Sequence, residues 1–141
     1  MWVRRPAFTT LLRIILEQQV SLASGRAAYR RIEGRIGTVE VAKAVQENRL
    51  NLQRLTRAPD EEARAELLAL TGVGRWTADV YLLMALKRPD IWPPGDVALL
   101  IAVHNLRRST RRPSNEEALQ AAEAWRPYRA VATRILWHGY L

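Results

Sequence analysis

Leu70-Thr71-Gly72-Val73-Gly74-Arg75-Trp76-Thr77-Ala78 links two stretches whose apolar residues recur every three or four positions. A Gly-x-Gly link between helices leaves several backbone N–H groups at a helix N-terminus with no side chain in front of them. Such a concavity accepts a phosphate oxygen, because the orphan amides and the helix dipole both favour an anion. Gly72 permits a positive φ, Gly74 lets another backbone come close, and Arg75 adds charge beside them. An ordinary corner between two helices, with a glycine C-cap, uses the same residues, so this motif alone leaves both readings open. A second group follows: Trp92-Pro93-Pro94-Gly95 is a rigid connection, and Asp96 stands where it can cap the apolar helix beginning at Val97. His104 and His138 have no motif around them and are read as ordinary surface or core residues.

The elements that must position these residues read as helices throughout, since strand-like alternation is nowhere sustained. Phe8, Leu11, Leu12, Ile15 and Leu16 form the stripe of a first helix ending near Gln18–Ser21, and a second helix is expected from Ser21 to about Ile36. Thr38 can cap a third around Val41–Gln46. Thr56–Pro59 reads as a loop, with Pro59 at the start of a helix running to Leu70 and Asp60, Glu61 and Glu62 in its first turn, where the dipole favours them. The helix after the hairpin stops at Lys87-Arg88-Pro89, and the next spans Val97 to Leu106. Arg107–Pro113 is a basic loop; Ser114 with Glu117 forms a capping box for a helix to Trp125, and a last helix follows Pro127. No repeat or linker divides the 141 residues, so a single all-α domain over 1–141 is expected.

Composition narrows the partner. Against 14 Asp and Glu stand 22 Lys and Arg, a net charge of +8 with a pI near 10.9, and 20 of the 22 cations are Arg. Arg forks bind phosphate at two points and stack on bases, which suits nucleic acid, although compositional bias or thermal adaptation also favours Arg over Lys. Scattered arginines do not make an amphipathic membrane helix, and no apolar run reaches the length of a membrane span. No signal peptide opens the chain, so a cytosolic or nucleoid location is expected. With no cysteine, a disulfide scaffold, thiolate zinc, a thiol nucleophile and a cysteine-held iron–sulfur cluster are excluded.

Four motifs in order carry a resemblance over most of the chain, from Phe8 to Trp137. The hairpin at 70–78 and Trp92-Pro93-Pro94-Gly95-Asp96 resemble those of the helix–hairpin–helix/Gly-Pro-Asp DNA glycosylases. Ile15-Leu16-Glu17-Gln18-Gln19-Val20-Ser21 and Trp125-Arg126-Pro127-Tyr128-Arg129 are similar to the alkylbase branch, the 3-methyladenine DNA glycosylase II type. The resemblance implies an all-helical fold that flips a damaged base out of double-stranded DNA and cuts its N-glycosidic bond, with no cofactor required and the protein acting as a monomer.

Residue by residue, the family's catalytic aspartate falls on Asp96. A carboxylate at a helix N-terminus both caps the helix and stabilises an oxocarbenium-like sugar, so the two roles are compatible. Lyase-competent members carry a Lys just after the hairpin, where this chain has Trp76, and neither Lys43 nor Lys87 lies near it. A monofunctional enzyme leaving the abasic site uncut is therefore expected. Trp76 and Tyr128 match aromatics of the base pocket, and Val80 stands where the prototype has a Tyr. Aromatic faces suit a methylated, cationic purine. Gly72, Val73, Gly74, Arg75 and Thr77 match the DNA-gripping hairpin, with Arg126 and Arg129 beside the pocket and Arg107–Arg112 adding charge in a flanking loop. Gln19 falls where the family inserts a side chain into the gap left by the flipped nucleotide. The carbonyls of Leu68, Leu70 and Val73 match those that hold a monovalent cation, Na+ or K+, in the family hairpin.

Two departures accompany the resemblance. The N-terminal β-rich domain of the prototype has no counterpart ahead of the Gln-Gln-Val-Ser helix, and the helix-turn segment usual between Thr38-Val39-Glu40 and Asn51-Leu52 is shortened. A minimal version of the fold is expected. Two other functions fit the same residues: a non-catalytic helix–hairpin–helix DNA-binding module with Asp96 a mere cap, and a glycosylase for deaminated or mismatched bases. Asp96, Trp76 and Gln19 together favour an enzyme, because a binding module needs only the hairpin. A uracil reader needs placed amide donors, and aromatics stand there instead.

Overall fold

A computed structural model describes residues 43–47 and 49–140, and these fall into two compact units divided between Lys87 and Arg88. Among the described residues every regular element is helical. The helices expected ahead of residue 43, with Gln19 and Thr38, lie outside the described residues.

In the first unit, a helical turn at 43–46 buries Ala44, and α1 (Leu52–Arg57) follows. Asn51 nucleates α1: its Oδ1 accepts the N–H groups of Gln53 and Arg54, each at 3.0 Å. Such a cap contributes about 1 kcal/mol. This helix corrects the expectation of a loop at Thr56–Pro59, because Thr56 and Arg57 are helical and only Ala58 and Pro59 separate α1 from α2 (Asp60–Leu68). The chain cannot continue α1 through Pro59, which has no N–H, and the same proline starts α2. Asp60, Glu61 and Glu62 occupy the first turn of α2, while Ala63 and Leu67 turn inward.

α3 (Arg75–Met84) packs against α2 and is the core of this unit. Every residue from Thr77 to Met84 is buried, so the helix is enclosed on all sides and not amphipathic. Tyr81, Leu82 and Leu83 have no exposed surface, and burying each such side chain stabilises the fold by about 1.5–3 kcal/mol.

The second unit holds α4 (Val97–Arg107), α5 (Asn115–Ala122), a 3-10 turn at Glu123–Trp125 and α6 (Arg129–Tyr140). α4 packs against both α5 and α6, burying Leu99, Ala102 and Val103. The capping box forms as expected: Ser114 Oγ accepts the Glu117 N–H at 3.2 Å and the Glu117 carboxylate accepts the Ser114 N–H at 2.8 Å. The indole rings of Trp92 and Trp125 meet with centroids 5.7 Å apart, and Ala130 N–H donates to Pro89 O at 2.9 Å, fixing the start of α6 to the 88–92 segment.

Candidate nucleic-acid interface and catalytic carboxylate

The hairpin between α2 and α3 is built by its backbone. Leu70 N–H donates to Leu67 O at 3.2 Å, Val73 N–H donates to Leu70 O at 3.1 Å, and Gly72 turns the chain at φ +86°. An L side chain is disfavoured there, which is why glycine occupies it. Leu70 and Val73 point into the core, whereas Gly72, Gly74 and Arg75 are exposed. Gly74 is the N-cap of α3 without a side-chain cap bond, and a Cβ built on it meets nothing within 4 Å. The hairpin therefore presents an open helix N-terminus to solvent, the geometry that receives a phosphate.

What holds this hairpin was not visible as a motif. Asp79, fully buried on α3, accepts Arg64 Nε of α2 at 2.5 Å on one oxygen and Arg75 Nε at 3.0 Å on the other. Arg64 also bonds to Glu61, and its side chain is only 8% exposed. Burial disfavours the Arg64 charge, but the bonds from Glu61 and Asp79 outweigh it and raise the guanidinium above its usual range. Asp79 thus ties α2 to α3 across the turn and steadies Arg75, whose side chain stays 57% exposed. An acid at i and cations at i−4 and i−15 is the sequence signal that could have suggested the tie. Trp76 is half-buried in the first turn of α3, Thr77 is buried beside it, and Val80 is buried one turn further on.

In the second unit, Asp96 stands immediately after Gly95, which adopts φ +79° and so turns the chain out of the proline pair into α4. Asp96 Oδ1 accepts the Leu99 N–H at 3.0 Å, and the residue is 8% exposed. The carboxylate is therefore fixed at the positive end of α4. Tyr128 is exposed and borders an apolar concavity of about 470 Å³ lined also by Leu106, Trp125, Val131 and Ile135.

Arg126 and Arg129 have partners within the chain. Arg129, 12% exposed, donates from Nε to Asp90 Oδ1 at 2.7 Å, from Nη2 to Asp90 Oδ2 at 3.0 Å and from Nη1 to Glu123 at 2.9 Å. Arg126, half-exposed, bonds to Glu123 at 2.6 Å and Asp90 at 3.1 Å. The Arg129 bond holds the Asp90 carboxyl below the usual range against the opposing effect of burial, and Arg126 does the same for Glu123. This cluster fastens the turn at 88–90 to the N-terminus of α6. Among the described residues, no group of three or more His, Asp or Glu side chains is placed to hold a metal ion.

No protein-family model matches the chain. It is 28% identical over 99 residues to the DNA-3-methyladenine glycosylase of Bacillus subtilis, covering 70% of this chain. It is 42% identical over 78 residues, 55% of this chain, to the probable bifunctional transcriptional activator/DNA repair enzyme AlkA of Mycobacterium tuberculosis. Among solved structures, the Schizosaccharomyces pombe 3-methyladenine DNA glycosylase in complex with abasic DNA superposes with a TM-score of 0.83 at 19% identity, covering 95% of this chain and 80% of that one. The Bacillus halodurans DNA-3-methyladenine glycosidase does so with a TM-score of 0.77 at 25% identity, covering 97% and 76%. The chain is similar in sequence to DNA-3-methyladenine glycosylases. It has their all-helical fold. It spans about a third of the length of the Bacillus subtilis relative and 15% of the mycobacterial one. Of the residues that resemble this family's site, Gly72, Val73, Gly74, Arg75, Trp76, Thr77 and Val80 share the α2–α3 hairpin, while Asp96, Arg126, Tyr128 and Arg129 lie in the second unit and Gln19 lies outside the described residues. No described helix is long and apolar enough to cross a membrane.

Proposed function

We propose that the protein is a monofunctional DNA glycosylase of base excision repair that removes alkylated purines of the 3-methyladenine type from duplex DNA. The observation that carries this reading is Asp96: its carboxylate is fixed at the N-terminus of α4, directly after the Pro93-Pro94-Gly95 turn. A binding module needs no such group, since the open hairpin suffices for phosphate.

The chemistry follows from charge. Alkylation at a ring nitrogen makes the purine cationic and a good leaving group, so no general acid is required. The N-glycosidic bond breaks with its electron pair moving to the base, which leaves positive charge on the sugar. Asp96 stabilises that charge electrostatically, and water adds to the anomeric carbon while losing a proton to solvent. The half-exposed indole of Trp76 offers an aromatic face to a cationic base, with Tyr128 a second aromatic face of the same chemistry. The base must leave the stack to be reached, at a cost of a few kcal/mol, and Gln19 is the side chain assigned to the gap.

The hairpin amides after Gly72 and the exposed part of Arg75 grip the phosphate backbone, and Arg126 keeps a solvent-facing side. The carbonyls of Leu68, Leu70 and Val73 suit a monovalent cation: neutral carbonyl oxygens are the ligands Na+ and K+ take. Leu70 O already accepts the Val73 N–H, and its second lone pair remains for an ion. Trp76 in place of a Schiff-base Lys supports an enzyme that leaves the strand uncut. The partner is damaged double-stranded DNA in the cytoplasm or nucleoid, bound by one monomer.

The test is release of base from methylated duplex, read by chromatography, with strand integrity read on a gel. Free 3-methyladenine is expected, with strands that break only after alkali. Duplex binding with no base released would overturn the enzymatic reading in favour of a DNA-binding module. Strand cleavage without alkali would contradict monofunctional action.

A further inference from the structure

The end of α4 and the loop to α5 carry four arginines, Arg107, Arg108, Arg111 and Arg112, and the sequence has no Asp or Glu from 97 to 115. The structure sorts these four. Arg111 is a brace: its Nη2 and Nη1 donate to the two oxygens of Glu117 at 2.6 and 2.9 Å, and Glu117 in turn caps α5. The bond from Arg111 and the one from Ser114 hold the Glu117 carboxyl down at about 2. Ser109 Oγ donates to Arg111 O at 2.9 Å, and His104 Nδ1 lies 3.0 Å from both of these oxygens. The loop is thus pinned at its base. Among the described residues, no acceptor meets the side chains of Arg107, Arg108 or Arg112, all three exposed. Arg107 borders a cleft of about 340 Å³ with Ser109 and Thr110.

Arg108 gives the decisive observation. It ends α4 in the left-handed conformation, φ +49° and ψ +37°, with its N–H on His104 O and Asn105 O. Where a helix ends on a left-handed residue that residue is usually glycine, because an L side chain is disfavoured there. The backbone favours Gly and the sequence supplies a cation, as it also does at Lys87 (φ +57°), so backbone geometry does not select the residue. The helix dipole accounts for a cation in the last turn, which is Arg107. It also favours Arg108 at the C-cap, but it does not account for Arg112 beyond the brace.

We propose that Arg107, Arg108 and Arg112 form a second contact to the DNA phosphate backbone, separate from the hairpin and carried by side chains and not by main-chain amides. The inference rests on duplex DNA being the partner. Because its contacts are to phosphate alone, it adds affinity for damaged and undamaged duplex equally.

The experiment is the salt dependence of binding to an undamaged duplex, followed by fluorescence anisotropy, for the wild type, R107Q/R108Q/R112Q and R108G. Each phosphate contact contributes about 0.9 to the slope of log K against log salt. The triple variant is expected to lower the slope by about 2.7, and R108G by about 0.9. R108G should also melt at a higher temperature than the wild type, since glycine relieves the left-handed position. Weaker binding by a more stable protein cannot arise from misfolding. A wild type that binds duplex with slopes unchanged in both variants overturns this inference alone. A wild type with no affinity for duplex overturns the proposed function with it.

Discussion

Three of the described helices are followed by a left-handed residue, Lys87 (φ +57°) after α3 among them, and the loops after α2 and α4 fill that position oppositely. After α2 the residue is Gly72 at φ +86°; after α4 it is Arg108 at φ +49°. In the first, glycine leaves no side chain in front of the helix N-terminus of α3, the end proposed to meet phosphate. In the second, the left-handed residue carries an exposed guanidinium. The supports differ as well. The hairpin is tied by the fully buried Asp79 between Arg64 and Arg75, whereas the basic loop is braced at the surface by Arg111 and Glu117. The lesson concerns charge: an arginine count does not say which cations are available to a partner, because Arg64, Arg111 and Arg129 serve the fold.

The largest effect on that comparison comes from removing the hairpin's tie. Asp79→Ala leaves the buried Arg64 with only the exposed Glu61 as partner, and breaking such a buried pair costs about 3 kcal/mol. Urea denaturation should show it, and duplex binding should fall with it; an unchanged midpoint would mean the tie does not hold the hairpin. Next is Gly72→Ala, which puts a Cβ at φ +86° and costs about 1–2 kcal/mol. Its binding loss should exceed that of R108G, since it distorts the amide cradle and does not simply remove one charge. Equal losses would erase the distinction between the loops. R108G, in the other direction, should gain roughly 1 kcal/mol.

The smallest effect is on the brace. The Glu117 carboxyl lies at about 2 in the folded chain against an ordinary value of 4.5. A depressed carboxylate contributes stability above its unfolded value and loses it as pH falls toward the folded one. The melting-temperature difference between wild type and Glu117→Gln should therefore be full above pH 5 and shrink between about pH 4.5 and pH 2. A difference constant across that window would show that the Arg111 pair does not stabilise the loop.

What the sequence disclosed was local. Ser114 with Glu117, Asp96 before Val97 and Gly72 in its turn each act within four residues, and each capping or turn geometry is present. Asn51 is equally local: an Asn ahead of Leu52 and Leu55, with Pro59 as terminator, is the signal of a short helix. The ion pairs were out of reach for a different reason. Arg129 finds Asp90 across 39 residues and Arg64 finds Asp79 across 15, and no periodicity encodes such pairings. Arg126 and Arg129, which the resemblance places beside the pocket, both bond to Asp90 and Glu123 in the fold.

The central claim is that Asp96 does more than cap α4, and one measurement addresses it directly: single-turnover release of 3-methyladenine from methylated duplex by wild type and Asp96→Asn, with duplex affinity measured on the same samples. Asparagine still accepts the Leu99 N–H, so the cap and the fold are retained while the charge is lost. The account predicts release slowed by about 100-fold or more with affinity unchanged. Release at the wild-type rate from Asp96→Asn would contradict it.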